Sequence, residues 1–283
     1  MTHEAITPTL KPGPIGVFDS GYGGLTILRE IRKALPQYDY LYLGDNARAP
    51  YGSRSFDIVY RFTLEAVTYL FQQGCQLVIL ACNTASAKAL RTIQQNDLPK
   101  IDPSRRVLGV IRPTVEELGK ITRTGHIGVL GTPGTVQSNS YNIEIAKMFP
   151  QFHTYAQPCP LWAAIVECGE AESAGADYFV KSDIEKLLQQ SPDIDTIILG
   201  CTHYPLLMNK IRRYTPENIQ IIEQGPIIAT SLADYLHRHP EMEQRCSKTG
   251  SCQFLTTESA QKFQQAASIF TLSPVNQATT IEL

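Results

Sequence analysis

No Cys-x-x-Cys pair occurs anywhere in the 283-residue chain, which argues against a structural zinc site of the familiar spacing. There is no apolar run near the roughly 20 residues needed to cross a bilayer, and no membrane association is expected. No basic block and no basic stripe interleaved with aromatics is present, and the formal net charge is only −2. Nucleic acid is therefore not expected as a main partner. The first residues, MTHEAITPTLKPGP, lack the basic and apolar regions of a secretory signal. Residues 1–13 read as a disordered arm, and the protein as cytoplasmic. Charged residues make up only 18%, against 43% hydrophobic, so much of the chain is expected to be buried.

What is present is a βα alternation. Strands are predicted over 14–18, 40–43, 77–81 and 107–111, with amphipathic helical spacing between them, including Leu25, Leu28, Ile31 and Leu35 and a long helix over 55–73. This is the pattern of a parallel α/β fold. The pattern then restarts. Ile15-Gly16-Val17 returns as Ile127-Gly128-Val129, and the run into Cys82-Asn83-Thr84 returns in the run into Cys201-Thr202-His203. The offsets are similar, so a repeated unit is expected: two like parallel-sheet lobes related by pseudo-symmetry, with the active site between them. Residues 14–112 and 225–283 are assigned to the first lobe and 113–224 to the second. A strand over 220–222, a charged surface loop over 239–250, a strand over 251–256 and a closing helix from Ser259 complete the reading.

In open parallel sheets, ligands gather at the carboxyl ends of strands. That selects four loops: 19–24, 44–52, 82–84 and 201–203. Two of them place a cysteine directly after an apolar strand and before a helix. Backbone N–H groups and the positive helix end are expected to lower a thiol's pKa there. Of the seven cysteines, Cys75, Cys159, Cys246 and Cys252 read as small buried hydrophobes. Two opposed thiols suit inversion at carbon: one removes a proton from one face and the other returns a proton to the opposite face. Blander readings stand beside this one. Asp19-Ser20-Gly21 suits a turn or helix cap, Tyr51-Gly52 loop packing, His203 a helix cap, and Glu167 a solvated helix face.

Asp19-Ser20-Gly21-x-Gly23-Gly24, Asp45 through Pro50-Tyr51-Gly52, Ala81-Cys82-Asn83-Thr84-Ala85, Pro160-Leu161 through Glu167-x-Gly169, and Gly200-Cys201-Thr202-His203-Tyr204-Pro205-Leu206-Leu207 resemble the aspartate/glutamate racemase superfamily, and glutamate racemases in particular. The resemblance runs from about residue 14 to residue 229. It implies Cys82 and Cys201 as the acid/base pair, Cys82 acting on D-glutamate and Cys201 on L-glutamate. It implies Asp19 as the carboxylate assisting Cys82, with His203 and Glu167 assisting Cys201. Asp19, Ser20, Tyr51, Gly52, Asn83, Thr84, Thr202 and His203 are the implied substrate contacts. It implies no metal, no pyridoxal phosphate or other cofactor, a homodimer, and a supply of D-glutamate for peptidoglycan. The chain departs from many relatives at Glu223-Gln224, where an Asp-Ser-like pair is common, and at Cys168, where an acidic residue is common.

Three other functions fit some of these residues. An aspartate racemase or another two-cysteine racemase is the nearest, although His203 stands where aspartate racemases tend to carry glutamate. The glycine loop Gly21-x-Gly23-Gly24 suits a small-anion binding protein, but its spacing matches neither the dinucleotide fingerprint nor the P-loop. Cys82, Cys201, His203 and Asp19 are zinc-type ligands, but at separations that match no familiar zinc motif.

Overall fold

The computed structural model describes residues 11–283. Two parallel sheets form its frame. The first contains β1 (Ile15–Asp19), β2 (Tyr40–Gly44), β3 (Leu77–Leu80) and β4 (Arg106–Gly109), and the second contains β5 (His126–Gly131), β6 (His153–Pro158), β7 (Thr196–Gly200) and β8 (Gln220–Ile222). The chain returns to the first sheet with β9 (Cys252–Thr256) and β10 (Thr279–Thr280). Strand orders are β10-β9-β2-β1-β3-β4 and β6-β5-β7-β8. The order β2-β1-β3-β4 is thus repeated in the second sheet. Ile15-Gly16-Val17 and Ile127-Gly128-Val129 lie on equivalent strands, and Cys82 and Cys201 follow equivalent strands. The internal repeat read from the sequence is a repeat of topology.

The central strands β1, β2, β3 and β7 are buried along their whole length. Helices cover both faces, which is why these segments read as continuous apolar runs and not as alternating ones. The helix Phe56–Gln72 shows how the layers attach. Ser55 caps it, its side chain accepting from Ile58 N at 3.5 Å, and Asp57 lies in its first turn. Val59, Ala66, Val67 and Leu70 recur at helical spacing and are fully buried. Each large apolar side chain contributes about 1.5–3 kcal/mol relative to exposure. The helix stops at Gly74, whose φ of 93° ends the turn.

The lobes share one apolar core. A single cluster joins Ile15, Val17, Leu25 and Ile31 on the first-sheet side to Trp162, Ile184 and Leu199 on the second. The chain passes between sheets through the helix Ile111–Glu116 and returns through the helix Gln224–Arg238, which packs along the helix Leu25–Ala34. We place the division of the lobes within these two passages.

Three expectations are corrected. The segment 239–250 is not a plain surface loop: it holds a short helix, Pro240–Glu243, and buries Met242 and Cys246. Its backbone meets Gly13, whose N–H donates to Arg245 O and whose carbonyl accepts from Ser247 N, each at 2.9 Å. Two isolated apolar residues in a polar stretch create no period, so the sequence offered no sign of this burial. Gly13 is accordingly part of the fold, while residues 1–10 of the expected arm lie outside the described residues. Finally, the helix Ala260–Thr271 does not close the chain, because β10 follows and pairs with β9. At only two residues, β10 is below the length at which alternation is readable.

Candidate active site

Both sheets reverse their strand order between the first and third strands of the repeat, β1 and β3 in one and β5 and β7 in the other. Crevices at such reversals, outside the carboxyl ends, are where parallel sheets bind ligands. The segments leaving these four strands are Asp19–Gly24, Cys82–Thr84, Thr132–Gly134 and Cys201–His203. They come together in the structure.

Cys82 caps the helix Asn83–Lys88. Its Sγ accepts from Ala85 N at 3.5 Å and stands 3.5 Å from Ser20 Oγ. Asp19 is fully buried. Its Oδ1 accepts from Gly21 N at 2.9 Å, and its Oδ2 lies 3.5 Å from Thr202 Oγ1 of the other lobe. Burial pushes the Asp19 carboxyl above the usual carboxylate range, against the pull of the His203 charge and the Gly21 and Gly24 amides. Burial also pushes the Cys82 thiol up to about 12, helped by the neighbouring Asp19 and opposed by the Ser20 and Ala85 hydrogen bonds. The expectation that its position lowers this pKa is therefore overturned. The helix-end hydrogen bonds are present, but loss of water outweighs them.

After β7 of the second sheet, Cys201 Sγ lies 3.7 Å from His203 Nδ1, and His203 Nε2 lies 2.7 Å from Glu167 Oε1. Burial works against a charged imidazole, yet hydrogen bonds to Cys201 and Glu167 prevail and raise its pKa to about 10. Glu167 is thus tied to the site and not merely a solvated face residue. Neighbouring Cys168 is exposed. Cys82 and Cys201 are only 6% and 8% exposed, so the site is closed around both thiols. Cys75, Cys159 and Cys246 are buried, and burial raises the pKa of each, but Cys252, also expected to be buried, is only partly so at the start of β9.

Gly23 permits the closure. A Cβ there would fall 2.1 Å from Thr202 Oγ1 and 2.5 Å from His203 Nδ1. The loop 44–52 joins the lobes in another way, with Gly134 N donating to Gly52 O at 2.7 Å. The Tyr51 side chain is packed in the core against Phe18 and Phe62, and its hydroxyl donates to Asp45. The Tyr51 phenol is therefore committed to the core, and the Tyr51 carbonyl accepts from Arg54 N at 3.1 Å.

Sequence reasoning did not single out Thr132 and Thr135. Thr84 Oγ1 lies 2.9 Å from Thr132 Oγ1 and 3.2 Å from Thr135 Oγ1, forming a cluster of three hydroxyls drawn from both lobes. The repeat held the signal, since Gly131-Thr132-Pro133-Gly134 aligns with the loop at Asp19. Lys88, one turn beyond Thr84, is also buried and donates to Arg54 O at 2.7 Å. Asn83 is held by Tyr141, which no sequence motif marks, and by Gln224, one of the pair at which the chain departs from many relatives.

Known proteins resemble this chain in sequence and fold. A glutamate racemase from Roseobacter denitrificans is 40% identical over 266 residues, covering 90% of this chain and 96% of that protein. The crystal structure of a glutamate racemase from Bacillus anthracis superposes with a TM-score of 0.86 at 34% identity, covering 96% of this chain and 98% of the other. That of the Francisella tularensis enzyme, in complex with D-glutamate, has a TM-score of 0.84 at 29% identity, with the same coverage. Residues 15–232, which carry both sheet reversals and both cysteine loops, match the profile of the Asp/Glu/hydantoin racemase family, and the chain belongs to that family.

Proposed function

We propose that the chain interconverts L- and D-glutamate by moving the α-proton between Cys82 and Cys201. The observation that carries this reading is the equivalence of the two thiols. Each follows the same strand of a repeated sheet, and each has its own proton-handling partners: Asp19 and Ser20 beside Cys82, His203 and Glu167 beside Cys201. The named relatives and the D-glutamate complex support glutamate as the substrate.

The chemistry follows from the α-proton's weak acidity. One sulfur, as thiolate, takes that proton and becomes a thiol. The opposite thiol gives its proton to the other face and becomes a thiolate, so the carbon inverts and the proton count balances. In this reading Cys82 acts on D-glutamate and Cys201 on L-glutamate. An imidazolium beside Cys201 and a buried carboxyl near Cys82 can exchange protons with the sulfurs between turnovers. Asp19 and Ser20 hold the substrate ammonium, which must stay charged to acidify the carbon. Asn83, Thr84 and Thr202 donate to carboxylate oxygens, where negative charge grows in the transition state. Tyr51 and Gly52 contribute through their backbone. The reaction needs no pyridoxal phosphate, the enzyme works in the cytoplasm as a homodimer, and its D-glutamate serves peptidoglycan synthesis.

Incubation with L-glutamate in D₂O is the test. Deuterium is expected at Cα together with growth of the D-isomer in apoenzyme free of added cofactor. Turnover of aspartate without turnover of glutamate would reassign the substrate, and absence of exchange from both would overturn the reading.

A further inference from the structure

Beside Cys82, the amide of Asn83 belongs to a closed ring of hydrogen bonds. Asn83 Nδ2 donates to Gln224 Oε1 at 2.6 Å, Gln224 Nε2 donates to the Tyr141 hydroxyl at 2.9 Å, and that hydroxyl donates back to Asn83 Oδ1 at 2.7 Å. Gln224 Nε2 uses its second hydrogen on Thr114 Oγ1 at 2.9 Å, and Thr114 passes its own to Val110 O at 2.7 Å. All four side chains are at least 96% buried. They come from four helices, Asn83–Lys88, Ile111–Glu116, Ser140–Met148 and Gln224–Arg238, so the ring spans both passages between the lobes.

The donor count gives the ring its meaning. A primary amide has two N–H donors and one carbonyl. In Asn83 the carbonyl takes the Tyr141 proton and one N–H serves Gln224, leaving one N–H uncommitted. Reversing the Asn83 amide alone would leave its carbonyl facing Gln224 Oε1, two acceptors with no hydrogen between them. Reversing Gln224 with it would turn the Gln224 carbonyl to Thr114 and draw the Thr114 hydroxyl off Val110 O. Such a buried mismatch costs about 1–3 kcal/mol.

We propose that Gln224 is a positioning residue: bonded to Asn83 directly and through Tyr141, it fixes the polarity of the Asn83 amide so that a single N–H is presented to the substrate carboxylate. This rests on the proposed role of Asn83 as a carboxylate donor. Charge on that carboxylate grows as the α-proton leaves, so a misdirected amide weakens the transition state more than the ground state.

Two variants test it by different routes. Gln224→Met keeps the length but neither accepts from Asn83 Nδ2 nor donates to Tyr141, which frees the Asn83 amide to turn, and Tyr141→Phe removes the hydroxyl that holds Asn83 Oδ1. Each is expected to lower kcat for glutamate tenfold or more, with KM moving less than threefold. In an Asn83→Ala background neither change should alter kcat more than twofold, because their effect passes through Asn83. Wild-type kcat in both single variants would overturn the inference, as would losses that persist undiminished in the Asn83→Ala background, the pattern expected of a merely structural role. Wild-type protein assayed alongside separates the two readings: if it racemises glutamate while the variants match it, only the role of Gln224 falls.

Discussion

His203 Nε2 lies 2.7 Å from Glu167 Oε1, while the other nitrogen of the same ring lies 3.7 Å from Cys201 Sγ. One imidazole thus joins a half-exposed carboxylate to a buried thiol, and it does so as a cation. Its pKa in the folded protein, about 10, lies above the ordinary value of 6.5. The stabilisation that this charge supplies is therefore complete below about pH 6.5 and drains away as pH rises toward 10. An NMR titration of the His203 ring should show no deprotonation between pH 5.5 and 8.5. In Glu167→Gln the midpoint should move down. Racemisation should fall roughly 10- to 100-fold, the worth of a charge-assisted hydrogen bond of about 1.5–3 kcal/mol. A His203 midpoint near 6.5 in the wild type would contradict the geometry.

The two cysteines should differ in the free enzyme. Cys82 is 6% exposed with its thiol pushed up to about 12, whereas Cys168 stands in solvent. Iodoacetamide at pH 7.5 is expected to label Cys168 well before Cys82, as read by peptide mass spectrometry. Cys82→Ser and Cys201→Ser should each reduce racemisation by about 10²–10⁴, the usual worth of one general acid/base. Near wild-type turnover in either would exclude the paired mechanism.

In the glutamate-bound enzyme the two sulfurs should flank Cα, each about 3–3.5 Å from it and so roughly 7 Å apart. A crystal structure with D-glutamate measures this directly. Both sulfurs on one face of the carbon would rule out inversion between them.

A methyl group at Gly23 should be intolerable. Its Cβ would sit 2.1 Å from Thr202 Oγ1, between the glycine loop of one lobe and the cysteine loop of the other. Gly23→Ala is expected to cost about 1–3 kcal/mol and most of the activity. Gly175→Ala, where the new atom meets only Ser173 Oγ at 3.5 Å, should keep the wild-type rate. Thermal melts and initial rates of the two variants compare them.

Asp39 should anchor the end of the segment 239–250. One carboxylate oxygen accepts from the backbone and hydroxyl of both Thr249 and Ser251, at 2.6–2.9 Å. Burial acts to raise its pKa, but these bonds, together with one from Ser247, hold it well below the carboxylate range. Its contribution is thus present above about pH 4 and is lost as pH falls further. Asp39→Ala should destabilise the protein by roughly 2–3 kcal/mol at pH 7, with the difference shrinking in acid. Denaturant melts at pH 7 and pH 3 provide the comparison.

Local chemistry made much of this protein legible before any coordinates. Unbroken apolar runs such as Leu77–Leu80 announce parallel strands covered on both faces, and the restart at Ile127-Gly128-Val129 announces the second sheet. The two cysteine loops are readable because each is a short motif attached to such a strand. Other features depend on partners far apart in the chain. Thr132 meets Thr84 across 48 residues, Gln224 meets Asn83 across 141, and Thr202 meets Asp19 across 183. No period or spacing encodes such meetings. The state of Cys82 is the sharpest case. Sequence position promises an acidic thiol at a helix start, but Cys82 is buried in the apolar cluster that gathers Phe18, Val59 and Leu80 from separate stretches of chain, and that removal of water pushes the thiol's pKa up instead.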